Sequence, residues 1–230
     1  MIASLANELF ADTPAQNGAR VVVLTAKAPA LPLERVGLPE SELAFRWAPG
    51  TLASAFDAWS ILGSGAALRV DVSGRDRWAE LRTATDDVFA SLDERREAGV
   101  VAPRVRLFGG ASFHPSVEDI LWQPFGSASF VLPRWSYGVK GDDAFLRFAL
   151  RVDQEVDRAA VLTEIEAVTT GLERTPERPL RTPQIAASST PPPADETQLT
   201  GLIERALAAI AKGELDKVVV ARRASIATTV

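Results

Sequence analysis

Gly213-Glu214-Leu215-Asp216-Lys217-Val218-Val219-Val220-Ala221-Arg222 is the stretch on which the reading of this chain turns. A glycine closes a helical pattern, an apolar run follows, and one lysine stands at its mouth. In the strand expected over Lys217 to Ala221, Val218 and Val220 point to one face and Lys217, Val219 and Ala221 to the other, because strand side chains alternate. Lys217 then has two readings. Lysines at strand starts commonly lay their stem along apolar surface and send the ammonium to water. A lysine facing a closed, dry site instead favours the neutral amine and becomes available as a general base. Spacing alone does not choose between them.

Immediately upstream, Leu199, Leu202, Ile203, Ala206, Leu207 and Ile210 recur with helical period and form an apolar stripe. Asp195 suits the N-cap of this helix, Gln198 completes a capping-box-like pair, and Gly213 suits the C-cap. Before the helix, residues 173–195 change texture. Pro176, Pro179, Pro183 and Pro191-Pro192-Pro193 remove backbone donors and block helix, which predicts a linker or long exposed loop.

The first 172 residues read as a mixed body. Arg20 to Thr25 is a short apolar run suited to a buried strand, and Leu43 to Trp47 and Ala67 to Val72 alternate as strands do. Asp76 to Leu92 shifts to helical period, with Trp78, Leu81, Val88, Phe89 and Leu92 on one face, and the charged run Asp93 to Gly99 is expected to close it. Strands are predicted over Arg104 to Phe113, Ile120 to Leu132 and Phe145 to Val152. A helix follows over Asp153 to Leu172 on the stripe Val161, Ile165, Val168 and Leu172. Residues 1–172 therefore form an N-terminal body, 173–195 a linker or exposed loop, and 196–230 the start of a second unit. The class is α+β.

Composition removes several kinds of function. The 230 residues are 47% hydrophobic and 24% charged, ordinary for a globular chain, and the formal net charge of -5 leaves no basic footprint for nucleic acid. There is no cysteine, hence no disulfide, thiolate nucleophile or thiolate metal site, and a single histidine excludes a multi-histidine centre. No apolar run approaches the roughly 18 residues of a membrane span, and Met1 to Phe10 lacks the basic start of a signal peptide. A cytoplasmic location is expected.

The remaining candidates read as structure. Gly109-Gly110 within Phe108 to Phe113 allows a bulge or the close approach of another backbone, with the bulge expected. Gly63-Ser64-Gly65 reads as a turn between strands, and His114 beside Pro115 as a surface turn residue. Asp86-Asp87, Asp93-Glu94 and Asp142-Asp143 read as solvated charge.

Taken in order, these segments resemble the chorismate-utilising enzymes, and within them the isochorismate synthases. Ala208 to Arg222 is similar to that family's helix, turn and Lys-Val-Val-Leu-Ala-Arg strand, with Val220 in place of the usual leucine. Phe45-Arg46-Trp47, Leu62 to Ala66, Phe108 to Phe113, Leu121-Trp122, Phe125-Gly126 and Phe130-Val131-Leu132-Pro133-Arg134 resemble its N-terminal region. The resemblance implies largely antiparallel sheets flanked by helices. It implies conversion of chorismate to isochorismate with Mg²⁺ and no redox cofactor: water adds at one ring carbon while a hydroxyl leaves from another. Lys217 matches the lysine that activates the water. The acid glutamate and the Mg²⁺ ligands are expected beyond Val230, so residues 1–230 alone are expected to be inactive, as the N-terminal portion of the enzyme.

Salicylate synthases of the same family also carry this lysine and go on to eliminate pyruvate; the segments around Phe108 and Phe130 favour isochorismate synthase. Lys217 argues against the aminating relatives, so no glutaminase subunit is expected as a partner. A non-catalytic binding module is the alternative if the chain ends at Val230. Menaquinone and siderophore synthesis are both compatible pathways, with a lean toward menaquinone.

Overall fold

The computed structural model describes residues 2–12, 20–48, 58–116, 123, 126–152, 156–173 and 196–219. The chain divides into two compact units, Met1–Pro176 and Glu177–Val230. The class is α+β with sheets that are largely antiparallel and flanked by helices.

Among the described residues of the first unit, nine strands form two sheets. The larger has the order β2 (Ala44–Trp47), β3 (Ser60–Ser64), β8 (Trp135–Lys140), β9 (Asp143–Val152), β1 (Arg20–Lys27), β5 (Leu92–Arg96). The smaller has the order β4 (Leu68–Val72), β7 (Ala128–Leu132), β6 (Phe108–Ala111). Every pairing is antiparallel except β1 with β5.

Strand β9 is the hinge of the design, buried along nearly its whole length on both faces. Its Leu146, Phe148, Leu150 and Val152 join Val22, Leu24 and Ala26 of β1 beneath helices α1 (Ile2–Asp12) and α3 (Arg158–Thr170). The other face carries Ala149, which with Val21 and Val23 packs against Leu132 of β7 and Leu68 of β4. Two cores, one beneath the helices and one between the sheets, follow from one strand that is buried on both sides.

The α3 stripe behaves as its period requires: Val161, Ile165 and Val168 are buried, as is Leu172 just beyond the helix. Asp157 caps it, its Oδ1 accepting from the backbone of Ala159 at 2.9 Å and Ala160 at 3.1 Å. Glu164, on the same helix, accepts from Arg134 Nε and from Trp135 Nε1, each at 2.8 Å. That carboxylate ties α3 to the turn joining the two sheets. On β8, Tyr137 is buried with its hydroxyl accepting from Leu31 N at 2.6 Å and facing the Pro29 carbonyl at 2.8 Å, which holds the segment before Leu33 onto the core.

Several expectations are corrected. The charged run after Asp93 does not close a helix; Leu92–Arg96 is β5, paired in parallel with β1 in the register Val21↔Leu92. Its charges suit a sheet edge, which charged side chains protect from further pairing. Asp93 is held by Arg20 at 3.1 Å and Glu94 by Arg96 at 2.8 Å, so this pair is ion-paired rather than merely solvated. The strand expected over Arg104 to Phe113 is confined to Phe108–Ala111, and only Ala128–Leu132 of the strand expected over Ile120 to Leu132 is present; residues 120–122, 124 and 125 lie outside those described. Gly63 and Ser64 belong to β3 rather than to a turn. Strand β8 and helix α1 had no counterpart in the sequence reading. Residues 174–195, including the prolines and Asp195, lie outside the described residues.

Burial raises the Glu164 carboxyl, but the bonds from Arg134 and Trp135 and the Arg134 charge outweigh it, leaving the acid below its ordinary 4.5. A lowered native pKa contributes stability above the unfolded value and loses it as pH falls through the native one. Glu164→Gln should therefore destabilise the protein by about 1–2 kcal/mol at pH 7, and urea titrations should show the gap between variant and parent closing in acid below about pH 4.

Candidate functional site

The second unit contributes α4 (Glu196–Ala211) and the segment that leads to Lys217. Helix α4 ends in a Schellman turn: Glu214 N donates to Ala209 O and Gly213 N to Ile210 O, both at 3.0 Å. Gly213 has φ +73°, a conformation that favours glycine. The turn explains why the helix stops here and sends the chain out along Leu215 to Val219.

Lys217 is exposed, and Lys217 to Val219 has no strand pairing. The strand expected over Lys217 to Ala221 is thus absent over its described part, and Val220 and Ala221 lie outside the described residues. Within residues 196–219 the segment finds no strand to pair with. Leu202, Ile203, Leu207, Ile210, Val218 and Val219 are exposed as well, so the apolar stripe of α4 is formed but uncovered within its own unit.

In the first unit, the segments singled out by sequence converge on one seam. Phe45 on β2 lies opposite Gly63 on β3, and a Cβ at position 63 would overlap the Phe45 ring. The ring uses that space to stack on Phe108 of β6, centroids 4.1 Å apart. Phe108 in turn pairs with Val131 of β7, and Leu132 receives a backbone bond from Ala67 at 2.9 Å. Arg134 follows, bound to Glu164. Structure thereby brings together Phe45, Gly63, Phe108 and Phe130 to Arg134. Leu121, Trp122 and Phe125 lie outside the described residues.

The expected bulge at Gly109-Gly110 is not present. The ladder runs without interruption from Phe108↔Val131 to Ala111↔Ala128. Close backbone approach is the operative reason for glycine: a Cβ on Gly109 would overlap the Ser129 carbonyl oxygen and lie 2.7 Å from Phe130 Cα. Gly110 faces open space.

Two buried guanidiniums escaped the sequence reading. Arg77, at the first turn of α2 (Arg77–Ala90), donates to the carbonyls of Gly74 and Ser112 at 3.2 Å and Phe113 at 3.1 Å, fixing the end of β6. Arg147 on β9 donates to Thr25 Oγ1 at 3.0 Å and Pro103 O at 2.7 Å. Burial lowers its pKa to about 10, with the Glu94 carboxylate opposing the shift. An arginine amid the apolar run Phe145 to Val152 was the available signal for the second. His114 is exposed, as its turn position suggests.

Among the described residues, no group of three or more His, Asp or Glu side chains is placed to hold a metal ion, so they do not supply a donor set for Mg²⁺. No helix among them is long and apolar enough to cross a membrane.

A family model described as "chorismate binding enzyme" matches residues 51–229, most of the chain. The chain belongs to the chorismate-binding enzyme family. The matched region takes in β3 through α4 and Lys217. Among solved structures the chain is similar to MenF, the menaquinone-specific isochorismate synthase from Escherichia coli, at 18% identity and a TM-score of 0.46. That match covers 93% of this chain and 42% of the other, so the chain spans less than half the length of that enzyme. Comparison with curated proteins returns no match.

The glycine pair gives a direct test of the seam. Gly109→Ala should destabilise the protein by about 2–3 kcal/mol, since both obstructing atoms are backbone and cannot swing away. Gly110→Ala should change stability by no more than about 0.5 kcal/mol in the same denaturant titration.

Proposed function

We propose that this family member is an isochorismate synthase in which Lys217 is the water-activating base. The observation that carries the reading is the placement of Lys217 just beyond the Gly213 helix stop, inside the region matched by the chorismate-binding model. The reaction adds water to chorismate at one ring carbon and expels a hydroxyl from another, without redox change. Its first requirement is an amine that can take a proton from water.

A lysine does this only as the neutral amine, and removal from water is what favours that form. Residues 196–219 leave Lys217 exposed, so the base needs further protein over it. The uncovered stripe from Leu202 to Val219 is suited to accept such a cover. Mg²⁺, expected from the resemblance, requires carboxylates that the described residues do not provide. Chorismate as substrate and menaquinone as pathway belong to this same proposal.

In the full-length protein, chorismate with Mg²⁺ should yield isochorismate by chromatography. Lys217→Ala should lower the rate by at least about 100-fold while circular dichroism shows the fold retained. Accumulation of fluorescent salicylate with pyruvate would reassign the enzyme as a salicylate synthase. Parent-like rates in Lys217→Ala would remove the lysine from the chemistry, and a full-length protein that binds but never converts chorismate would make it a binding module.

A further inference from the structure

Helix α2 presents the stripe that its period marked as core, yet the only side chain it buries fully is Arg77. Trp78 is 54% exposed and Phe89 45%. The stripe instead forms one wall of an open groove of about 480 Å³, with Leu107, Phe130 and Arg106 on the opposite wall. That volume is within the range of small-molecule sites, roughly 300–1,000 Å³.

The chemistry of the walls is selective. Trp78, Phe89 and Phe130 offer ring surfaces, and Arg82, one turn beyond Trp78, brings a guanidinium to the same lining. Among the described residues Arg82 makes no ion pair and no acidic side chain lines the groove, while Arg106, which has a partner of its own, stands beside it. Thr85 is already occupied, its hydroxyl donating to the carbonyls of Leu81 at 2.8 Å and Arg82 at 2.9 Å. The helix is not free to collapse onto the sheet. Arg77 is bonded to three carbonyls of neighbouring turns, and its guanidinium lies 5.0 Å from the centroid of the Trp78 ring.

We propose that this groove binds a planar aromatic carboxylate, its ring against Trp78 and Phe130 and its carboxylate at Arg82. Aromatic contacts supply the flat surface, and an arginine is the side chain best shaped to hold a carboxylate through paired hydrogen bonds. The site is on the first unit and does not depend on the assignment of Lys217.

2-Naphthoate is a suitable probe, titrated into the full-length protein by calorimetry beside the neutral isostere 2-naphthamide. Saturable binding of the acid is expected with a Kd of about 0.1–1 mM, and the amide should bind at least about 10-fold more weakly. Arg82→Gln and Trp78→Ala should each weaken the acid at least about 10-fold; both positions are exposed, so the fold survives, which circular dichroism would verify. Lys217→Ala should leave the affinity unchanged. No saturation by about 5 mM, equal affinity for acid and amide, or indifference to both groove variants would overturn the proposal. So would sedimentation showing a dimer that Trp78→Ala dissociates, since a second copy would then be the occupant.

Discussion

The first unit depends on one buried cation. Strand β9 can face two cores only if Arg147, lying between Phe145 and Ala149 on the second face, is satisfied without water. An unpaired buried charge is costly, and a paired one is tolerable only when its donors are used. Thr25 on the neighbouring strand and the Pro103 carbonyl take two of them, Glu94 lies 3.7 Å away, and the guanidinium lies 4.8 Å from the Phe145 ring centroid. The same contacts fix the irregular segment before β6 against the larger sheet. Arg96 reinforces this, donating to the Ala102 carbonyl at 3.2 Å. The position of Phe108 is thus set by charge satisfaction in the segment before it together with its pairing to Val131 and its stacking on Phe45.

With the sheets so placed, aromatic rings and glycines do the close fitting. A Cβ at Gly63 would overlap the Phe45 ring, and one at Gly138 would overlap the Phe145 ring. In both cases a strand gives up a side chain so that a ring from its neighbour can lie flat across it. Trp59 meets Phe145 edge-on at 5.3 Å, and Phe45 stacks on Phe108, so the two glycines serve one aromatic layer. Gly109 belongs to a different class of site, where the obstruction is a backbone carbonyl and no repacking of rings could relieve it.

Legibility of the sequence followed burial. Strand β1 was readable as a continuous apolar run buried on both faces, and β9 and α3 from an apolar period that appears directly in the residues. Strand β5 was not, because Leu-Asp-Glu-Arg-Arg carries its pairing in the backbone and its charges at an edge, leaving no apolar period to detect. Strand β8 was overlooked although Trp135 to Lys140, followed by Gly141-Asp142, is a hairpin signature, with Gly141 at φ +59°. Helix α1 was overlooked although Ile2, Ala6, Leu9 and Phe10 share one buried face. Helix α2 failed in the opposite sense: its period was read correctly, but period reports which face is apolar and not whether anything covers it.

That distinction governs the candidate site as well. The sequence marked the end of α4 and the position of Lys217, and the Schellman turn accounts for both in local hydrogen bonds. Local bonds cannot make a lysine basic. The property needed for catalysis is exclusion of water, which arises from tertiary cover, and α4 with the following segment presents Leu207 and Val219 to solvent at 60% and 79% exposure. At about 25 cal/mol per Å², covering such side chains contributes on the order of 1–2 kcal/mol each. Whatever covers that stripe would therefore be drawn to it by the same apolar burial that dries the amine. Assembly of the site and activation of its base would be one event, with Lys217 becoming a base only as Leu207 and Val219 leave water.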